Sequence, residues 1–174
     1  MKIYKIILAS FLLFNLFLSN SFSSEIYFID TKKILNQSKA GKGAQDILKK
    51  QLTDETKKFD KQLEDLKKEE KDLISQKKLL SSEEYKKKLN ALRKKNISYQ
   101  KNRQLAANEI FKKKQKARKE LNKALKPIIE KYMSENNIDI VIEKKSIVVA
   151  KSEIDLTDKI LKLLDKELKS INLK

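Results

Sequence analysis

The sequence predicts a mainly α-helical protein with a small β part. A long antiparallel coiled-coil helical hairpin projects from a small β-containing oligomerisation body. Three observations predict this. Gly41 and Gly43 are the only glycines and Pro127 the only proline in 174 residues, with 37% of them charged. Tight turns and strained loops draw on glycine, so few fit downstream of Gly43. The middle of the chain repeats apolar residues in heptads, the pattern of a coiled-coil seam. The β-type runs of the chain after residue 23 lie only at its two ends, "EIYFID" at 25–30 and "IDIVIEKKSIVVA" at 138–150.

At the N-terminus, Lys2 and Lys5 precede an apolar run of 13 residues, Ile6–Leu18. Small residues at Ser21 and Ser23 suit cleavage after Ser23, so residues 1–23 read as a secretory signal peptide. The run is short for a membrane span, which needs about 20 apolar residues. The chain has no Cys. That excludes a lipid-modified N-terminal cysteine and also disulfides, which exported proteins often use.

Residues 24–38 are assigned to the body as a first strand and a short helix. Residues 39–126 form the arm, with 39–80 outgoing and 82–126 returning. On the outgoing helix Leu52, Phe59, Leu66, Leu73 and Leu80 recur every seven residues; Tyr85, Leu92, Tyr99 and Ala106 do so on the return. The other seam positions are mixed, including Glu70, Lys77, Asn96 and Arg103. Such a stripe suffices for one partner helix and is too thin for a four-helix core. Polar seam residues should weaken the pairing and let the arms flex. Ser38 is placed to cap the outgoing helix. Ser81 and Glu84 have capping-box spacing, marking the fold-back. Arms of this length span roughly 60 Å.

Pro127 should kink the return helix. Residues 127–174 then complete the body with a helix end, a β-hairpin (Ile138–Glu143 and Ile147–Ala150) and a C-terminal helix capped by Asp155. The hairpin arm returns residue 137 to the neighbourhood of "EIYFID". Three short strands leave open edges, which favour pairing between subunits. The residues expected to carry oligomerisation are Ile26, Phe28, Ile138, Ile140, Ile142 and Val148.

Charge divides the chain in the same way. Residues 39–126 hold 28 Lys and Arg against 13 Asp and Glu, whereas 127–174 hold nine of each. Most of the excess lies in 83–126, with 16 cations against 4 carboxylates. The body shares the lysine-rich vocabulary and is still neutral, so the basic arm is more than a compositional bias. It suits acidic, unfolded clients, because charge attraction is long-ranged and needs no sequence-specific geometry. The cations expected to meet a client are Lys86, Lys87, Arg93, Lys94, Arg103, Lys112 and Arg118. Tyr99 and Phe111 are the aromatic candidates among them. Leu79, Tyr85, Ile97 and Leu105 are further apolar side chains beside the seam.

Catalysis finds little support. With no His or Cys, the commonest general base and the softest metal ligand are missing, and no catalytic, metal or cofactor-binding residue is assigned. Glu69-Glu70 and Glu83-Glu84 read as helix-surface carboxylates among lysines. "AGKGAQ" at 40–45 lacks the spacing of a phosphate loop. Its glycines are read as letting arm and body approach closely. A basic nucleic-acid-binding protein is the rival reading, opposed by the export signal, the three arginines and the lack of a docking motif. A structural coiled-coil envelope protein is a third.

"YFIDTKKILNQSKAGKGAQDILKK" at 27–50 and "IDIVIEKKSIVVAKSEIDLTDKIL" at 138–161, separated by a lysine-rich hairpin, resemble the OmpH-like (Skp) family of periplasmic chaperones. The resemblance covers essentially the whole chain in the same element order. It implies a homotrimer whose strands share one β-body and whose three arms enclose a cavity. It also implies ATP-independent holding of unfolded outer-membrane proteins in the periplasm, in support of outer-membrane assembly. The departure is an arm with very few arginines. Whether anionic lipid or lipopolysaccharide is a further partner is left open by the sequence; nucleic acid is disfavoured, and the mature chain is expected to hold no transmembrane segment.

Overall fold

The computed structural model describes residues 25–173; the expected signal peptide at 1–23 lies outside them. The elements run β1 (Ile26–Ile29), α1 (Thr31–Gln37), α2 (Lys39–Ser75), α3 (Ser82–Glu135), β2 (Ile140–Glu143) and α4 (Thr157–Glu167). Short 3-10 turns lie at Gln76–Lys78, Lys144–Ser146 and Ser152–Ile154.

Local chemistry sets the boundaries of the helices. Asp30 starts α1, its carboxylate accepting from the Lys33 N–H at 2.8 Å. Ser38 both ends α1 and starts α2, its hydroxyl accepting from the Gly41 N–H at 3.1 Å. Ser81 and Glu84 form the expected capping box at the start of α3. At the other end of α3, Asn137 takes a positive φ of 54°. The Ile138 N–H then bonds back to the Met133 carbonyl at 3.0 Å. This is a Schellman-type stop, which Gly or Asn can supply, and it drops Ile138 into the core. α3 continues through Pro127 to Glu135 as one helix. The turns after Pro127 belong to the body, with Ile128, Ile129, Tyr132 and Met133 packed on its core.

β1 and β2 pair in parallel, Ile26 opposite Ile140 and Phe28 opposite Ile142. Parallel neighbours need a crossover connection, and here the crossover is the whole arm. The other edge of β1 is occupied by the chain entering α4. Phe28 bridges Asp155, and the Leu156 N–H bonds to the Phe28 carbonyl at 2.9 Å. The Thr157 hydroxyl accepts from the Asp30 N–H at 2.8 Å. Asp155 is not the cap of α4 as expected: Leu156 holds that position without a side-chain cap bond, and the Asp155 carboxylate, one residue earlier, accepts from the Thr157 N–H at 2.8 Å.

One expectation fails. Ile147–Ala150 is not a strand: the 3-10 turn at Lys144–Ser146 leads it away from the sheet. With β1 paired on both edges, the chain itself offers this segment no partner but the outer edge of β2. Val148 and Val149 are fully solvent-facing, at 102% and 87% exposure.

Two separate cores result. The body core joins Ile29, Ile34, Ala40, Ala44, Leu121, Leu125, Ile138, Leu156, Ile160 and Leu164. Ile171 and Leu173, beyond α4, are buried in it too. The arm core is the seam between α2 and α3.

Candidate functional site: the basic arm and the exposed face of the body

The seam holds Phe59, Leu66 and Leu73 of α2 against Leu92 and Tyr99 of α3, with Leu63, Leu80, Tyr85, Leu89 and Ala106 at its edges. The Phe59 and Tyr99 rings meet edge to face, 5.9 Å between centroids, a favoured aromatic geometry. One flank of the seam is tied by polar contacts from α3 to α2. Lys95 bonds Glu69 at 2.6 Å, Lys88 bonds Gln76 at 3.0 Å and Lys113 bonds Gln51 at 3.1 Å. Exposed pairs of this kind contribute little stability individually.

The seam is shorter than the heptads imply. Leu52 is 54% exposed. In an antiparallel pair, one heptad from Phe59 towards the body puts Leu52 at the level of Ala106, one heptad beyond Tyr99. The alanine methyl is too short to cover a leucine. Between the distal seam and the body, Ile47, Leu105 and Phe111 are exposed as well. Towards the tip, Ile74 and Leu79 are exposed, as is Ile97 further back along α3.

The expected client residues fall into two groups. Lys86, Lys87, Arg93, Lys94, Arg103 and Arg118 are exposed on α3 and make no ion pair among the described residues. Lys112 is exposed but pairs with Glu109 at 3.2 Å, and Phe111 is exposed on the same turn. Tyr99 is a correction. It is 7% exposed and spends its ring on Phe59, so its surface is used inside the hairpin.

The six expected oligomerisation residues also separate. Ile26, Phe28, Ile140 and Ile142 share one face of the sheet, since alternate strand residues point the same way. The opposite face, with Tyr27, Ile29 and Val141, packs on the body core. On the first face Ile26 and Ile140 remain about half exposed, Ile142 is partly covered and Val148 stands free beyond them. Phe28 and Ile138 are already buried within the single chain, so neither adds to the exposed face.

One carboxylate of each acidic pair has a structural role. Glu69 holds Lys95. Glu84 accepts from the Ser81 hydroxyl and from its N–H, and these bonds keep its carboxyl below the usual carboxylate range. Among the described residues no cluster of His, Cys, Asp or Glu is arranged to hold a metal ion. No helix among them is long and apolar enough to cross a membrane. Of the two glycines, Gly41 makes the close approach: a Cβ there would lie 1.8 Å from the Leu35 carbonyl oxygen. Gly43 faces open space, so its expected role in close approach is not met.

Sequence reasoning missed a groove where the arm leaves the body. It is lined by residues of α1, α2, α3 and the end of β2. No local motif marks it, because four separate segments build it.

Fold and site together define a protein with a helical-hairpin arm on a small, sheet-bearing body, its charge concentrated on the arm. The OmpH family model, described as outer membrane protein (OmpH-like), matches residues 25–164. The chain therefore belongs to the OmpH-like family, and this membership supports a chaperone role in general terms. A solved structure from Caulobacter crescentus, described as a candidate OmpH-like outer membrane chaperone, shares the fold. Its TM-score is 0.79 at 19% identity, covering 86% of this chain and 89% of that one. A comparison with curated proteins returned no match.

Proposed function

We propose that the protein is an ATP-independent holdase of the periplasm that binds unfolded outer-membrane proteins between its arms. The observation that carries this reading is the set of exposed α3 cations Lys86, Lys87, Arg93, Lys94, Arg103 and Arg118, which make no ion pair among the described residues, on a hairpin that stands off a neutral body. Each contact to a client is weak, and many together set the residence time. A protein that binds the unfolded chain holds it back from folding and aggregation. Apolar side chains left open beside the seam, such as Ile97, Leu105 and Phe111, add short-range contacts.

One hairpin cannot surround a client. The half-exposed Ile26 and Ile140 and the free Val148–Val149 segment suit association of bodies, and a homotrimer with three arms around one cavity is the proposed assembly. The test is light scattering of a denatured outer-membrane protein diluted with and without the protein. Suppressed aggregation is expected; equal scattering in both sinks the reading. An assembly that forms and leaves aggregation unchanged points to a structural spacer.

A further inference from the structure

Where α1 lies against the root of the arm, a groove of about 910 Å³ opens. Its floor is apolar, formed by Leu35, Ala44, Leu48, Ala117 and Leu121. Ala44, Ala117 and Leu121 belong to the body core, with Leu35 and Leu48 packed against it, so the floor is preformed. Its rim is cationic. Lys32, Lys114, Arg118 and Lys145 line it, and none of the four makes an ion pair among the described residues. The carboxylate of the lining, Glu143, is already engaged. It accepts from the Thr31 N–H at 3.2 Å and from the Thr31 hydroxyl, tying the end of β2 to the start of α1.

An uncompensated cationic rim over an apolar floor selects a ligand with both anionic and apolar groups. The remaining lining decides which kind. It includes the side-chain amides of Asn36, Gln45 and Gln115. Gln45 donates to the Asn36 side-chain oxygen at 3.1 Å, so the groups left for a ligand are the Asn36 amino group, the Gln45 oxygen and the Gln115 amide. An acyl chain gives these nothing to bond, whereas a polypeptide offers a donor and an acceptor at almost every residue. The volume is near the upper end of ordinary ligand pockets, enough for several residues of extended chain.

We propose that this groove binds an extended peptide segment of mixed apolar and acidic residues. Its apolar side chains rest on the leucine floor, and its carboxylates meet Lys32, Lys114, Arg118 and Lys145. The site rests on the chaperone reading and deepens it. It anchors one stretch of the client at the root of the arm while the distal cations hold the rest diffusely.

The test is fluorescence anisotropy of a short labelled peptide alternating Leu or Phe with Asp or Glu, titrated with the full mature chain. Lys114→Glu with Arg118→Glu changes two exposed positions one helical turn apart on the rim. Arg93→Glu with Lys94→Glu makes the same charge change further out on the arm. The rim pair is expected to weaken binding by roughly tenfold or more, and the distal pair by less than about twofold. Equal losses from both pairs, or no binding by the wild type, overturn the site. Groove-dependent binding of phosphatidylglycerol vesicles without peptide binding assigns it to lipid and overturns the proposal. Dissociation of the assembly by the rim pair shows instead that a second copy covers it, with the same consequence. Light scattering with a full-length client runs alongside. Protection by the wild type without peptide binding removes only the groove; no protection by the wild type removes the chaperone reading itself.

Discussion

The Tyr99 ring meets the Phe59 ring at an interplanar angle of 73° and locks the middle of the arm. Both residues are nearly buried although the hairpin is only two helices thick. Tyr99→Ala should cost about 3 kcal/mol, and Tyr99→Phe should be close to neutral because the edge-to-face contact survives. Thermal unfolding followed by circular dichroism checks both. In a double-mutant cycle with Phe59→Ala the coupling should be about 1 kcal/mol; additive losses show that the rings do not interact.

The two glycines should respond in opposite directions. A Cβ on Gly41 meets the Leu35 carbonyl oxygen, so Gly41→Ala forces α1 away from α2 and should cost at least about 2 kcal/mol. Gly43 lies in the same helix with open space around it. Gly43→Ala should raise stability by up to about 1 kcal/mol. Chemical denaturation of the two variants side by side decides the matter.

Ser81 starts α3, and Ser81→Ala should lose about 1 kcal/mol. The same change has a titration signature. The Glu84 carboxyl sits below its usual range first because of the Ser81 hydroxyl and then the Ser81 N–H, so the variant should titrate higher. Carbon-detected NMR of the Glu84 side chain reads this. An unmoved titration shows that the cap is not formed in solution.

Asp158 and Lys33 join α4 to α1 at 2.7 Å. The bond from Lys33 lowers the Asp158 carboxyl, and the same bond raises the Lys33 ammonium. A lowered carboxylate contributes stability above its unfolded value and loses it as pH falls through the folded one. A raised ammonium contributes below its unfolded value and loses it as pH rises through the folded one. Stability from this pair should therefore be flat near neutrality and fall on both the acid and alkaline sides. Lys33→Gln should reduce both falls in a series of melting temperatures across pH. Both groups are solvent-exposed, so the effect is small and shrinks with salt.

Val148 carries no load inside the single chain. Val148→Asp should leave the helical circular dichroism unchanged and weaken self-association by roughly tenfold or more. Analytical sedimentation separates the two effects. An unchanged assembly removes Val148 from the interface.

What could be read from the sequence was whatever local chemistry decides. Ser38, Ser81 and Glu84 act on backbone groups within three residues of themselves, and the heptads from Phe59 to Leu73 act on one partner helix, so both were legible. Leu52 fits the same heptad and is exposed, because its burial depends on how large a residue stands on the other helix. Ile147–Ala150 has strand chemistry but finds no free partner edge within its own chain other than that of β2. Ile171 and Leu173 lie in a polar tail with no periodicity, and only the shape of the body core explains their burial. The groove was the least legible, since Lys32, Lys114 and Lys145 are unremarkable lysines until the fold brings them together.

The pairing of β1 with β2 has one more consequence. The sheet depends on where the arm begins and ends and is indifferent to what lies between. Adding or deleting about seven residues in α2, matched by as many in α3, preserves the seam register and moves neither Ile26 nor Ile140. The reach of the arm is thus a dimension that can drift by insertion and deletion over evolutionary time, or be reset by design, while the body is left alone.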